Sequence, residues 1–184
     1  MARIFLFSGA SGCGKTTFAN TYAIRLLEQA KRPVYVIHGD DFHRGFRAPG
    51  YGRDFFANGQ ASDEALWGKM KRFIRDCVVT TADRALQDDM DVIIDCIIED
   101  GLSGIQELAK RHQAGLYYTV LMADEREIVR RVLKRGDPDL VERAVYLKRK
   151  LEAMPENRGH LYDNTRKGID EMCRDIVLEQ YAVK

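Results

Sequence analysis

Apolar positions along the chain fall into two patterns that alternate from the N-terminus to the C-terminus. Short apolar runs predict five strands, at residues 3–7, 33–38, 91–98, 115–122 and 160–164. Apolar residues three or four positions apart predict helices at residues 15–30, 62–87, 103–112, 124–135, 139–153 and 168–181. Strands separated by helices at this spacing predict an α/β fold, a five-stranded parallel sheet with helices on both faces.

Polar and glycine-rich signals mark the boundaries of these elements. Ser62 is a predicted N-cap, because its hydroxyl can accept a hydrogen bond from a free backbone N–H group of the next helix. Ser103 with Gln106 resembles a capping box. Residues 44–61 contain four glycines and several aromatic residues without a sustained period, which predicts an irregular segment. Because the 184 residues contain no repeat or long linker, we expect a single domain over residues 1–184.

A glycine-rich loop joins the first predicted strand to the first helix. It fits the pattern G-x-x-x-x-G-K-[ST] in full, followed by Thr17: Gly9-Ala10-Ser11-Gly12-Cys13-Gly14-Lys15-Thr16. The glycines allow backbone turns that other residues resist, and the loop N–H groups and the helix N-terminus then favour a bound phosphate. Lys15 can bridge the β- and γ-phosphates, and the Thr16 hydroxyl can complete a Mg²⁺ shell. The loop predicts a nucleotide-phosphate site.

Charge and cysteine content add few constraints. Lys and Arg total 29 against 28 Asp and Glu, so the net charge of +1 gives no reason to expect nucleic-acid or membrane binding. The N-terminal residues lead directly into the glycine loop and the four cysteines lack metal-ligand spacing, so we expect a cytoplasmic protein with free thiols. Cys13 allows two interpretations, a thiol with a lowered pKa in an anion-binding loop or a small space-filling residue.

Carboxylates follow two of the predicted strands. Asp40 and Asp41 come directly after the second strand, where a carboxylate can take the proton of an attacking hydroxyl, and Asp40 is slightly favoured. His43 is a candidate for orienting the substrate. Asp95 in the third strand is a candidate for holding Mg²⁺ through water, because a buried carboxylate needs a cation or donors. Glu99 and Asp100 are the alternatives to Asp95.

Basic residues gather in two places. Arg131 and Arg135 share one face of a predicted helix and could stabilise a transferring phosphoryl group, the alternative being a solvated face that complements the helix dipole. Arg130, Lys134 and Arg143 lie nearby. The irregular segment carries residues that could line a pocket for a second substrate or could simply pack: Arg44, Phe46, Arg47, Tyr51, Arg53, Phe55 and Phe56. Trp67 and Tyr162 are expected in the core.

Taken together, these motifs resemble the P-loop kinases of small molecules. The resemblance rests on the glycine loop, Gly39-Asp40 with His43, the Arg131–Arg135 pair before a turn, and Asp163-Asn164-Thr165 before the last helix. The pattern is similar to that of the gluconate and shikimate kinases, within the fold shared with adenylate kinase. The resemblance covers most of the chain as architecture, and the glycine loop is its most specific part.

This resemblance implies a strand order of 2-3-1-4-5, an acceptor-binding region at about residues 42–85 and a short lid at about residues 135–142. It further implies that Lys15 and Thr16 bind phosphate and Mg²⁺, that Asp40 is the base, and that Arg131 and Arg135 act from the lid side. Asn164 and Thr165 are expected near the adenine of ATP. The substrate-binding candidates are His43, Arg44, Arg47 and Arg53.

The expected activity is transfer of the γ-phosphoryl group from Mg·ATP to a hydroxyl of a small molecule of the sugar-acid, nucleoside or antibiotic type. One alternative is a nucleoside or nucleotide kinase, in which Phe42, Phe46 and Tyr51 would stack on a base. Another is a nucleotide-dependent regulatory switch, although no water-positioning glutamine follows the third strand. The expected partner is a small-molecule acceptor, and the expected state is a monomer or homodimer.

Overall fold

The computed structural model describes residues 1–30, 32–99, 102–176 and 182–183, without the side chains of residues 30 and 53. The strands are β1 Arg3–Ser8, β2 Val34–His38, β3 Phe56–Ala57, β4 Gln60–Ala61, β5 Asp91–Asp95, β6 Gly115–Met122 and β7 Leu161–Asp163. The helices are α1 Lys15–Ala30, α2 Gly39–Gly45, α3 Glu64–Gln87, α4 Ser103–His112, α5 Glu125–Arg135, α6 Val141–Ala153 and α7 Ile169–Asp175.

Five of these strands form one parallel sheet, in the order β2-β5-β1-β6-β7. If the five strands of this sheet are numbered by themselves, without β3 and β4, their order is the expected 2-3-1-4-5. The predicted fold class is therefore confirmed. Strands β3 and β4 form a separate antiparallel hairpin. In a sheet of this kind the order reverses beside β1, and ligands bind at the carboxyl ends of the strands next to that point. The glycine loop follows β1 at this position.

Side chains of β1 show why the sheet is covered on both faces. Ile4 and Leu6 belong to a cluster formed with α3 and α4, whereas Phe5 and Phe7 belong to a second cluster formed with α1, α5 and α6. All four side chains are fully buried. Since successive residues of a strand point to opposite faces, a strand buried on both faces must be apolar throughout, as the sequence pattern predicted.

Several predicted boundaries are wrong. Strand β5 ends at Asp95 instead of residue 98, because the backbone N–H of Ile98 donates to the side chain of Ser8 instead of continuing the ladder. The N-cap of α3 is Asp63, whose carboxylate accepts from the N–H of Leu66 at 2.9 Å, and is not Ser62. Ser103 opens α4 as a helical residue and not as a capping residue.

The segment predicted to be irregular contains more structure than its composition indicated. Helix α2, which the sequence pattern did not predict, begins directly after β2 and reaches only the first two residues of this segment; Asp40 and Asp41 lie in its first turn, where carboxylates interact favourably with the helix dipole. The β3–β4 hairpin turns through Asn58 and Gly59, both at positive φ. At the other end of the chain, α7 is described as far as Asp175, and residues 177–181 of the predicted closing helix lie outside the described residues. Within the described part, no helix is long and apolar enough to cross a bilayer.

Candidate active site

The glycine loop lies between β1 and α1 and has the backbone geometry that a phosphate cradle requires. Gly9, Gly12 and Gly14 have φ angles of 140°, 83° and 85°, which side-chain-bearing residues rarely adopt. A Cβ atom on Gly9 would also collide with the carbonyl oxygen of Leu121. The loop closes through a hydrogen bond from the N–H of Cys13 to the carbonyl of Ala10 at 3.2 Å. The residues present therefore fit a bound nucleotide phosphate.

Cys13 is fully buried within this loop, in the cluster on the α1 face of the sheet. Burial raises the pKa of the thiol, and the nearby charge of Lys15 opposes this only in part. Of the two interpretations of Cys13, the structure supports the space-filling one. The amine of Lys15 donates to the carbonyl of Ala10 at 3.2 Å, so it lies across the loop, where a β- or γ-phosphate can replace that contact.

Thr16 and Asp95 form a direct contact that bears on Mg²⁺. The Thr16 hydroxyl donates to Oδ2 of Asp95 at 2.6 Å, and Nδ1 of His38 lies 3.0 Å from the same oxygen. Asp95 is 6% exposed, and its oxygens are hard ligands of the kind Mg²⁺ prefers. Among the described residues, no group of three or more His, Cys, Asp or Glu could hold a metal ion. Thr16 and Asp95 thus fit Mg²⁺ held mostly by water and phosphate.

Asp40 and Asp41 are neighbours on α2 but lie in different surroundings. Asp40 lines the cleft next to the glycine loop, whereas Asp41 lies outside that lining and forms an exposed ion pair with Arg44 at 2.9 Å. Helix α2 can approach the sheet because its first residue is glycine, since a Cβ atom on Gly39 would lie 2.6 Å from Sγ of Cys96. This geometry separates the two carboxylates that the sequence left nearly equivalent.

His43 also lines the cleft and hydrogen-bonds through Nε2 to the hydroxyl of Tyr51. Burial lowers the pKa of the imidazole, against an opposing effect of Asp40. Phe46 and Tyr51 pack against one another, and Phe55 is buried. Most aromatic residues of the irregular segment therefore pack against neighbouring side chains. This agrees with the interpretation of the segment as ordinary packing and not as the lining of a pocket.

The cleft runs from the glycine loop between α3, the β5–α4 connection, α6 and the β3–β4 hairpin, and has a volume of about 280 Å³. Ser11 and Asp40 lie at its glycine-loop end, and Trp67 and Phe56 lie along its wall. Trp67 is half-buried here and not a core residue as expected, whereas Tyr162 is buried as expected.

Sequence reasoning missed the role of a buried arginine in the wall of this cleft. Arg143 donates to Oε1 of Glu99 at 2.6 Å and to the carbonyl of Gly59 at 2.7 Å, and its side chain is 8% exposed. Its guanidinium lies 4.7 Å from the ring centroid of Phe56 and 5.1 Å from that of Trp67. Burial lowers the pKa of Arg143, against an opposing effect of Glu99.

The sequence contained a signal for this role. Arg143 is a charged residue at an apolar position of α6, four residues before the buried Leu147 and eight before the buried Leu151. Glu99, an alternative to Asp95 as metal ligand, is held by Arg143 and by Lys150, which contacts its second oxygen at 2.9 Å. Asp100, the other alternative, lies outside the described residues.

Arg131 supports the glycine loop from behind and is not part of the cleft lining. It donates to the carbonyl of Gly12 at 3.3 Å, to Oδ1 of Asn164 at 3.1 Å and to Glu127 at 2.6 Å. The side-chain amide of Asn164 in turn donates to the carbonyl of Cys13 at 2.8 Å. The Thr165 hydroxyl accepts from the N–H of Asp124, the N-cap of α5. These contacts fix the loop that precedes α7 against the glycine loop.

The remaining basic candidates lie at or beyond the mouth of the cleft. Arg135 lines the cleft and pairs with Asp137, and Arg44 lines it while paired with Asp41. Arg47 donates to the carbonyls of Arg44 and Phe46 and is not part of the lining. The side chain of Arg53 lies outside the described residues. Arg130 and Arg131, though adjacent, both pair with Glu127.

Residues 4–158 match the model of a protein family described as AAA domain (AAA_33). The chain belongs to this family. No curated protein sequence matches the chain at a significant level. The family match, the sheet order and the glycine loop together confirm the P-loop fold that the resemblance to the small-molecule kinases implied.

Solved structures share this fold at low sequence identity. The tunicamycin resistance protein of Deinococcus radiodurans has a TM-score of 0.61 at 16% identity, over 97% of this chain and 95% of that one. The APS kinase of Mycobacterium tuberculosis, solved with AMPPNP and APS, has a TM-score of 0.56 at 18% identity, over 96% and 95%. A gluconokinase of Sinorhizobium meliloti 1021 has a TM-score of 0.55 at 19% identity, over 98% and 91%.

Proposed function

We propose that the protein is a Mg²⁺- and ATP-dependent kinase that phosphorylates a hydroxyl group of a small molecule. The observation that carries this proposal is the 2.6 Å contact between Thr16 and Asp95 beside the glycine loop, whose Ser11 lines the same cleft as Asp40. A phosphate cradle, a pair suited to Mg²⁺ and a carboxylate next to an open cleft are the parts that phosphoryl transfer requires.

The glycine loop and Lys15 bind and orient the phosphates of ATP. The loop N–H groups hold the β-phosphate, and the Lys15 amine exchanges the Ala10 carbonyl for phosphate oxygens. Thr16 and Asp95 would hold Mg²⁺, which supplies positive charge to the β- and γ-phosphate oxygens. Arg131 and Asn164 keep the loop in shape through the carbonyls of Gly12 and Cys13.

Asp40 is the proposed base. The acceptor oxygen forms a bond to the γ-phosphorus, the bond from that phosphorus to the bridging oxygen breaks, and ADP leaves with the released electron pair. The hydroxyl proton passes to the Asp40 carboxylate. Arg135, at the mouth of the cleft, is the proposed donor to the transferring phosphoryl oxygens, for which it would leave Asp137. The names of the gluconokinase and APS kinase structures are consistent with this chemistry on this fold.

A nucleoside or nucleotide kinase is the second candidate, favoured by the two aromatic rings in the cleft wall. Phe56 and Trp67 line the cleft, whereas the residues first expected to stack on a base, Phe42, Phe46 and Tyr51, do not. A base that entered the cleft would meet these rings near Arg143. The reaction and the proposed base would be unchanged.

Release of ADP from Mg·ATP across a panel of hydroxyl compounds tests the proposal. The panel should include sugars, sugar acids, nucleosides, nucleotides and aromatic alcohols. We expect one class to raise turnover at least about a hundredfold, and we expect Lys15→Ala to lose about 10²–10³-fold of that rate. Lys134→Ala, an exposed lysine on α5, is the matched control and should behave as the wild type. A flat panel, together with ATP binding and only slow hydrolysis, would favour the nucleotide-dependent switch instead.

A further inference from the structure

The cleft differs from a sugar-binding site in the chemistry of its wall. Ser11 of the glycine loop is the one hydroxyl side chain among the described lining residues, and that lining contains no Thr, Tyr, Asn or Gln. Recognition of a polyol requires donors and acceptors that are free to pair with several hydroxyl groups, because unpaired polar groups are costly to bury. Besides Ser11, the described lining offers few such groups, among them His43 and the indole N–H of Trp67.

Apolar side chains from four parts of the fold line the cleft instead. Trp67 and Ile74 come from α3, Ile98 from the β5–α4 connection, Phe56 from the hairpin, and Leu140 and Leu147 from the turn before α6 and from α6 itself. Val78 and Ile105 line the deeper part and are buried. An apolar ligand that covers these side chains removes apolar surface from water, which stabilises the complex by about 25 cal/mol per Å² of buried area.

The charged groups deep in the cleft are already satisfied by one another. Glu99 accepts from Arg143 with one oxygen and from Lys150 with the other, at 2.6 and 2.9 Å. Arg143 also donates to the carbonyl of Gly59 at 2.7 Å. At the mouth, Arg44, Arg75 and Arg135 have acidic partners at Asp41, Asp76 and Asp137. Asp40 and His43, for which the described residues show no such ion pair, lie at the glycine-loop end.

We propose that the acceptor is a hydroxyl compound with an apolar body, aromatic or aliphatic, whose hydroxyl lies at Asp40 and whose body lies between Trp67, Ile74 and Leu140. This inference rests on the proposed kinase function and narrows it, because it excludes polyols, sugar acids and nucleosides as the preferred acceptor. The volume of about 280 Å³ is close to the lower end of the range of about 300–1,000 Å³ for small-molecule sites.

The position of Trp67 allows binding to be measured without turnover. It is the single tryptophan of the sequence and lines the cleft, so its fluorescence reports on a body that binds there. The protein is titrated in the presence of Mg²⁺ and AMPPNP with 3-phenyl-1-propanol, sorbitol, gluconate and adenosine. We expect a saturable fluorescence change with 3-phenyl-1-propanol, at a half-saturating concentration at least about tenfold below those of the other three.

Two substitutions test the apolar wall from opposite sides. Ile74→Asn on α3 and Leu140→Asn before α6 should each weaken binding of 3-phenyl-1-propanol about tenfold, because each places an amide against the apolar body. Ile24→Asn is the matched control, since Ile24 is 61% exposed on α1 and outside the cleft. Thermal unfolding shows whether Ile74→Asn and Leu140→Asn are folded. If one of them is not, the prediction is tested with the other.

The outcomes separate this inference from the proposed function. Equal or tighter binding of sorbitol, gluconate or adenosine overturns the inference, and so does the absence of a saturable change with 3-phenyl-1-propanol. If such a ligand is also phosphorylated, the kinase proposal stands while the inference fails. Conversely, saturable binding of 3-phenyl-1-propanol with no phosphoryl transfer to any acceptor keeps the inference about the ligand and overturns the kinase proposal.

Discussion

The two ends of the cleft are built in different ways. At the end proposed to bind the nucleotide, one continuous stretch of chain makes the site, and its backbone N–H groups would do much of the binding. At the acceptor end, side chains come from the β3–β4 hairpin, from α3, from the β5–α4 connection and from α6. The nucleotide end uses groups that every residue carries, and the acceptor end uses groups that differ from residue to residue.

The contrast indicates which end of the cleft determines the choice of the second substrate. A glycine loop binds the same phosphate in any protein that folds it, so its sequence is diagnostic of phosphate and says little about the second substrate. The acceptor end is defined by which side chains meet, and the sheet brings these residues together from positions 56 to 147 of the chain. The following predictions test whether the two ends can be changed separately.

The largest effect is expected at the junction of the two ends. Asp40→Asn should lower kcat about 10²–10⁴-fold, because the amide cannot take the acceptor proton. Asp41→Asn is the matched control and should stay within about twofold, since Asp41 is exposed and pairs only with Arg44 in the structure. Steady-state kinetics with the acceptor found in the panel measure both variants. Equal losses in the two variants would contradict the assignment of Asp40 as the base.

A smaller effect is expected for Thr16 and Asp95, the pair proposed to hold Mg²⁺. Asp95→Asn should raise the half-saturating Mg²⁺ concentration about 10–100-fold, because the negative charge beside Thr16 is lost. Asp91 is the comparison at the other end of β5, where it is fully buried and paired with Arg3. Asp91→Asn should lower the melting temperature and leave the Mg²⁺ dependence unchanged. A shift in Mg²⁺ dependence for Asp91→Asn alone would overturn the assignment.

Arg143 provides a test confined to the acceptor end. Arg143→Lys keeps the charge but loses the planar fork that reaches both Glu99 and Gly59, so we expect the KM for the acceptor to rise about tenfold. The KM for ATP should stay within about twofold, because Arg143 contacts no residue of the glycine loop in the structure. Arg149→Lys on the same helix, 66% exposed, is the matched control. Equal changes in both KM values would show that the two ends are coupled.

The smallest effect concerns stability at the nucleotide end. Arg130 and Arg131 lower the pKa of Glu127 to about 2, from an ordinary value of 4.5. The folded state therefore binds this proton less readily than the unfolded state, and the resulting stabilisation is present above about pH 4.5 and is lost as the pH falls toward 2. Glu127→Gln should lower the melting temperature by about 2–4 °C at pH 7.

The pH series supplies the check on this last prediction. The difference between Glu127→Gln and the wild type should be the same at pH 7 and pH 6 and should shrink between pH 4.5 and pH 3. Glu28→Gln, at an exposed position of α1, is the control and should match the wild type throughout. A difference that stays constant down to pH 3 would mean that Glu127 acts through packing instead of charge.

The sequence allowed the fold and the nucleotide end to be predicted because their signals are local. The apolar run before Gly9, the glycine loop and the helix after Lys15 lie next to one another in the chain. The sheet order came from the family resemblance to which that loop led. Strand β5 was predicted three residues too long, because Ile97 and Ile98 are apolar for a different reason, as part of the cleft wall.

The acceptor end could not be predicted because its contacts join residues far apart in sequence. Arg143 and Glu99 are separated by 44 residues, and neither has a local pattern that identifies its partner. The contacts of Arg131 could not be predicted for the same reason. The sequence correctly placed Arg131 on a helix, but its contacts with Gly12 and Asn164 depend on how α5 packs against the glycine loop. The separation of Asp40 from Asp41 likewise required the course of α2, which the sequence pattern did not predict.

The contacts of Asn164 bear on where the functional unit ends. The family match stops at residue 158, yet Asn164 is 1% exposed and its amide holds the carbonyl of Cys13 in the glycine loop. A fragment that followed the family boundary would lose β7, Asn164 and three hydrogen bonds of Arg131, two to Asn164 and one to Thr165. The smallest piece of this chain suitable for expression or transplantation therefore extends at least to Thr165, beyond the homology that defines the family.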